Sequence, residues 1–168
     1  MPDVQLRIDT AAPADIPALV ALRTAVAEAM TREFGPGDWS ATPSSALVRK
    51  QLRASRVLVA REGTALLGTV RLAEAQQALF DASAFTPART ALYVLGLAVS
   101  PDARGRDIGS QLMQAAKDHT RAVNADALWL DAVAGPAGAG PFYSKCGFRP
   151  VGVTLNRATP LVFYEWRV

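Results

Sequence analysis

One cysteine, one histidine and three lysines in 168 residues narrow the chemistry this chain can perform before any pattern is read. Cys146 has no second cysteine to join, so no internal disulfide can form. With His119 the only histidine, a His/Cys metal site is not expected either. Long apolar runs are also missing. The richest stretch, 18–30, is broken by Arg23 and Glu28, and the first residues lack the basic-then-apolar pattern of a signal peptide. Neither a membrane span nor secretion is therefore expected, and the default is a cytoplasmic protein with metal-free chemistry. Apart from Lys50, Lys117 and Lys145 the positive charges are arginines. They are scattered rather than gathered with aromatics, which argues against nucleic acid despite a net charge of +3 and a pI near 9.4. Abundant alanine and arginine read as the mark of a GC-rich, bacterial genome. What remains, 50% hydrophobic and 20% charged residues, suits a single domain over 1–168 with a continuous core.

Against this background residues 99–112, Val-Ser-Pro-Asp-Ala-Arg-Gly-Arg-Asp-Ile-Gly-Ser-Gln-Leu, stand out. An apolar strand, 91–99, runs through a glycine-punctuated turn into a helix, 105–123, whose apolar residues Ile108, Leu112, Ala116 and Val123 follow a helical period. Such a turn aims the unpaired N–H groups of the first helical turn outward, where the helix dipole adds to their attraction for a phosphate. A dinucleotide fold would place Gly-x-Gly-x-x-Gly at the first strand, and a nucleotide-hydrolysing loop would read Gly-x4-Gly-Lys-Ser/Thr. Neither is present.

The remaining pattern predicts a strand at 4–9, a helix from Pro13 to about Arg32, and a loop over 33–45. Ser44 or Ser45 is then expected to cap a second helix through about Ala54. Strands at 56–61 and 66–73 flank a hairpin turn at Glu62-Gly63, and 76–89 is left unassigned. A strand at 127–133, a short helix at 138–145 and strands near 148–154 and 160–167 complete the order.

Arg104 to Gly109 resembles the Arg/Gln-x-x-Gly-x-Gly/Ala loop of the GCN5-related N-acetyltransferases (GNAT), preceded as in that family by strand-Val-x-Pro-x-x-Arg-Gly. Ala139-Gly-Pro-Phe-Tyr-Ser-Lys-Cys-Gly-Phe148 resembles the family's Ala-x-x-Phe-Tyr-x-Lys-x-Gly-Phe motif. The chain departs from the pattern twice. Asp107 stands where the family usually has its middle glycine, with a helix-start carboxylate as its plain structural role, and Pro136 stands where the family often has asparagine. The resemblance implies an α/β fold, a mixed and mostly antiparallel central sheet of about seven strands flanked by helices. It implies transfer of an acetyl group from acetyl-CoA to an amine, leaving CoA. The pyrophosphate would be held by Arg104, Gly105, Arg106, Asp107, Ile108, Gly109 and Ser110. The pantetheine arm would pair with Leu97, Ala98 and Val99, and Phe142 and Tyr143 would complete the cofactor site.

Two catalytic roles are implied: a backbone N–H, assigned to Leu97, donating to the oxyanion, and Tyr143 protonating the departing thiolate. Gly96 is a position for a bulge. Candidate bases are Glu28, Glu33, Glu74 and Asp131. Phe34 and Trp39 either wall an acceptor pocket, with Glu33 or Asp38 drawing a cationic amine, or pin their own loop. Cys146 has no neighbouring histidine to activate it and reads as structural. The expected partner is a small-molecule amine, with no nucleic acid and no membrane. Acetylation of a protein N-terminus or lysine, and an acyl-CoA sensor without turnover, are the alternatives. Phe163, Tyr164 and Trp166 suit either a homodimer surface or a strand covered on both faces.

Overall fold

A computed structural model describes residues 5–75 and 81–168. Among the described residues seven strands form one sheet in the order β1-β2-β3-β4-β5-β7-β6. They are β1 (Arg7–Thr10), β2 (Arg56–Glu62), β3 (Ala65–Glu74), β4 (Ala91–Val99), β5 (Ala127–Val133), β6 (Arg149–Asn156) and β7 (Thr159–Arg167). The helices are α1 (Ile16–Phe34), α2 (Ser45–Ala54), α3 (Ile108–Ala122) and α4 (Gly140–Lys145). β1 runs antiparallel to β2, β5 to β7 and β6 to β7, while β4 and β5 are parallel, so the sheet is mixed as expected. Among the described residues no helix is long and apolar enough to cross a membrane.

The chain gathers into two compact units, Met1–Arg71 with Gly96–Ala115, and Leu72–Leu95 with Ala116–Val168. In the first, α1 and α2 bury Ile16, Leu19 and Val48 against Val57 and Val59 of β2. Each such side chain contributes roughly 1.5–3 kcal/mol on leaving water. α2 starts where Ser44 accepts a hydrogen bond from the Leu47 N–H at 3.1 Å, a cap worth about 1 kcal/mol. α3 lies close over β3: a Cβ at Gly68 would meet Leu112 Cδ1 at 2.9 Å and Ile108 Cγ2 at 3.0 Å.

In the second unit Phe85 stacks on Trp129, centroids 4.4 Å apart, and meets Tyr93 and Phe163 at 6.2 and 5.0 Å. Above this cluster the carboxylate of Glu165, fully buried, accepts from the Thr86 N–H (2.9 Å), the Thr86 hydroxyl (2.7 Å) and Arg149 Nε (3.0 Å). Burial alone would raise the Glu165 pKa, but these donors overcome it and hold the group below the usual carboxylate range. β7 is thus covered on both faces, with Tyr164 and Glu165 buried and Lys117 and Arg121 lying over the Trp166 ring at 5.1 and 4.9 Å.

Several expected boundaries move. β1 extends to Thr10, with its expected first residue Val4 outside the described residues, and α1 runs on to Phe34. The last two strands meet in a tighter hairpin, at 156 and 159, and the short helix begins at Gly140, two residues later than expected. The reason for that delay is the loop before it, where Gly138 N–H bonds Gly135 O at 3.0 Å. Val123 leaves the apolar face of the third helix and is exposed, because α3 has ended at Ala122. Residues 76–80 of the unassigned stretch also lie outside the described residues.

A Cβ at Gly138 would lie 1.6 Å from the carbonyl oxygen of Val133, so this loop must move to admit any side chain. Gly138→Ala is expected to cost about 1–3 kcal/mol, as overpacking does. A denaturation midpoint equal to that of the unsubstituted protein would show that the loop yields freely.

Candidate active site

The turn between β4 and α3 is built from its buried ends. Ser100 N–H donates to Leu67 O at 2.8 Å, Ala103 closes a single 3₁₀ turn onto Ser100 O and is itself buried, and Ile108 enters the core. Between Ala103 and Ile108 the backbone is left-handed twice, at Gly105 (φ 78°) and at Asp107 (φ 60°). Helical residues cannot take that conformation, so the helix expected from 105 starts at Ile108. Asp107 is therefore not a first-turn residue. It is the residue before the helix, and its carbonyl accepts the Gln111 N–H at 3.1 Å. Aspartate tolerates the left-handed region better than most side chains, which explains how it stands in a glycine's place.

The N–H groups of Ile108, Gly109 and Ser110 then have no acceptor within the helix and lie at its positive end. At Gly105 no atom lies within 4 Å of where a Cβ would be, so the approach to the turn is open. Arg104 Nη1 pairs with Glu33 Oε2 at 3.3 Å, and Arg106 pairs with Glu62. In the sequence Glu62 reads only as part of a hairpin turn, and 44 positions separate it from its partner with no local signal to join them. Leu97 and Val99 are partly buried and Ala98 is buried, and they follow directly on Gly96, which is left-handed at φ 59° within β4.

In the other unit α4 carries Phe142 and Tyr143. The Tyr143 N–H closes the helix onto Ala139 O at 3.0 Å, and its ring packs among Phe142, Phe148 and Tyr164 at 5.2, 6.1 and 6.1 Å. A Cβ at Gly140 would lie 2.5 Å from the Tyr164 hydroxyl, so only glycine lets α4 settle on β7. Tyr143 is buried, and its hydroxyl is pushed well above the usual tyrosine pKa by burial first, then by the charge of Asp131 and by Cys146. Lys117 Nζ donates to Cys146 O and lies over Phe148, joining the end of this motif to α3, while the Cys146 thiol is free of any disulfide.

The candidate bases fare differently. Glu28 is exposed beside Thr31 and Ser40, Glu33 is engaged by Arg104, and Glu74 is exposed. Asp131 accepts a 2.5 Å hydrogen bond from the Tyr93 hydroxyl. Phe34 and Trp39 meet edge-on at 6.5 Å, Trp39 Nε1 donates to Gly35 O at 2.9 Å, and the indole lies against Gly37. These contacts fasten the loop to itself, and Asp38 is exposed.

The chain matches the model of the acetyltransferase (GNAT) family over residues 23–148. No curated protein matches it significantly. Among solved structures it is similar to the ribosomal-protein-alanine N-acetyltransferase of Brucella melitensis, 21% identical over 96% of this chain and 99% of that one, with a TM-score of 0.74. The yncA protein of Salmonella typhimurium, solved with its cofactor acetyl-CoA, is 18% identical over 96% and 93%, TM-score 0.69. An IAA acetyltransferase from Bacillus cereus is 15% identical over 98% and 100%, TM-score 0.65. At these identities the likeness is one of fold.

The left-handed turn makes a stability prediction. Asp107→Val should lose about 1–2 kcal/mol because a β-branched residue resists this φ, whereas Asp107→Gly should stay within about 0.5 kcal/mol of the parent. Equal losses in urea melts would mean the carboxylate, not the backbone, is what matters there. The tyrosines make a second. Tyr93, like Tyr143, is pushed far above its usual pKa, by burial first and by Asp131. A tyrosine kept protonated by the fold contributes stability fully below the unfolded-chain pKa of about 10, and loses it as pH rises. Stability should therefore fall above about pH 10, with these two tyrosinates forming only on unfolding. Full tyrosinate absorbance in a still-folded protein would contradict it.

Proposed function

The chain belongs to the GNAT acetyltransferase family, and from that premise we propose that it transfers the acetyl group of acetyl-CoA to a primary amine of a small molecule by direct attack. The observation that carries the reading is the turn 104–107, which opens the N-terminus of α3 to a diphosphate through two left-handed residues and flanks it with two arginines. These residues fit the cofactor. Ion pairs between exposed groups such as Arg104 and Glu33 are worth only about 0–1 kcal/mol, so a phosphate making charge-assisted bonds displaces the carboxylate readily.

Acetyl-CoA, when bound, supplies an acetyl thioester activated toward amines. Arg104 through Ser110 hold its pyrophosphate, with the N–H groups at the start of α3 as donors and the Asp107 carboxylate turned to solvent. Leu97, Ala98 and Val99 offer main-chain groups to the amides of its arm, as an added strand would use them. The Leu97 N–H stabilises the oxyanion as the amine nitrogen bonds the acetyl carbon. The amine loses its proton to solvent, the carbon–sulfur bond breaks, and Tyr143 gives its proton to the departing sulfur. The raised pKa keeps the hydroxyl protonated wherever the amine is free. Phe142 lines the same cofactor site, and the whole chain acts as one catalytic domain. Cys146 carries no acetyl group, and Cys146→Ala leaves turnover intact.

Tyr143→Phe should lower kcat by about 10²-fold while leaving acetyl-CoA affinity within about twofold. The measurements are thiol release against a panel of amines and titration calorimetry with acetyl-CoA. Undiminished kcat would remove Tyr143 from the chemistry, and absence of acetyl-CoA binding to the parent protein would overturn the reading of the turn.

A further inference from the structure

In the first unit three arginines are partly buried, and a guanidinium withdrawn from water calls for a carboxylate partner. Arg61 on β2 donates to Asp15 through two nitrogens at 3.2 and 3.1 Å and pairs with Asp9 at 3.1 Å. Arg23 on α1 and Arg71 on β3 break that pattern. Both are partly buried, and among the described residues neither forms an ion pair. Arg23 Nη1 donates to Gln51 Oε1 at 2.7 Å. Arg71 Nη1 reaches Ser55 Oγ at a long 3.4 Å, and its Nε is buried without an acceptor. Burial pulls both guanidiniums below their usual pKa, and the charge of Arg23 pulls Arg71 further. The two cations therefore feel each other, and among the described residues their side-chain hydrogen-bond partners are the neutral Gln51 and Ser55.

Such an arrangement is unfavourable by itself: two like charges have given up water and gained no counter-charge. It is also how a protein holds an anion site ready, because an oxyanion brings both the missing charge and the missing acceptors. The guanidinium fork matches a carboxylate in particular. Gly96 provides the way in. It is exposed, and a Cβ there would begin 3.7 Å from Arg71 Nε. Its left-handed φ of 59° also disfavours most side chains, so this position of β4 puts no side chain beside Arg71. The residue after Gly96 is Leu97.

We infer that Arg71 and Arg23 bind a carboxylate of the acceptor, so that the molecule acetylated is an amino acid or a close relative bearing both an amine and a carboxylate. The inference rests on the acetyltransferase reading for the identity of the bound molecule as acceptor, since it puts the reacting carbonyl at the N–H next to Gly96. Glu33 is engaged by Arg104, and Asp38, on the loop of Trp39, lies exposed.

The test uses the full chain saturated with CoA, titrated calorimetrically with α- and ω-amino acids and with their carboxamides. The same pairs are then run as acceptors with acetyl-CoA. At least one amino acid should bind tenfold or more tightly than its amide and be acetylated with a correspondingly higher kcat/KM. In Arg71→Gln that preference should disappear through KM, with acetyl-CoA affinity unchanged, and Arg71→Lys should restore part of it. Arg23→Gln, which spares β3, should weaken the same preference if Arg71→Gln does not fold. Amides bound as well as acids, no amino acid bound at all, or equal losses for acid and amide in both variants would overturn the inference. Turnover of amines without a carboxylate preference would overturn it and leave the acetyltransferase reading standing. A carboxylate preference in binding without acetyl transfer would sustain the anion site and sink the acetyltransferase reading.

Discussion

Where α3 begins is the constraint on which the candidate site depends. A helix can present free N–H groups only if the chain enters it abruptly, and here two left-handed residues on either side of Arg106 force that entry. The anchors on each side are buried: Ala103 before the turn, Ile108 and Leu112 after it, the latter pair drawn against β3 over Gly68. Moving the helix start by one residue would rotate those apolar side chains about 100° off their contact. The core thus fixes the direction of the N–H groups without contributing any polar atom to them.

Charge is distributed with a similar economy. Arg61, set between Asp9 and Asp15, and Arg149, closed onto the fully buried Glu165, are spent on the fold itself. Arg104 and Arg106 pair with Glu33 and Glu62 while remaining half exposed, a state that keeps them in place without committing them. Arg23 and Arg71 have no carboxylate among the described residues. Graded in this way, the arginines of one chain serve structure, exchangeable anion contacts and an unneutralised pair, and the grading follows burial and counter-charge rather than residue type.

Much of the architecture was legible from residue order. β5 was read at its observed bounds because Leu-Trp-Leu-Asp-Ala-Val has the pattern of an alternating or fully buried strand. α3 was read because Ile108, Leu112 and Ala116 share a face, all three of them now buried. Ser44 was a candidate cap and is the cap. The errors fell at ends, where a left-handed residue or a loop bond decides the boundary and leaves no periodic signal. Asp107 is the clearest case: its type suggested a helix start, and only its φ shows that it lies outside the helix.

The sequence by itself determined the family, the strand and helix order and the two motifs, since each rests on residues close together in the chain. The tertiary structure decided which charges meet. Glu33 lies 71 positions from Arg104 and Glu165 lies 79 from Thr86, and no local pattern encodes either encounter. It likewise decided that Tyr143 is buried near the charge of Asp131, and that Arg71 feels the charge of Arg23 while neither forms an ion pair among the described residues. Contacts of this kind follow from how helices and strands pack, and packing depends on the whole set of apolar faces at once.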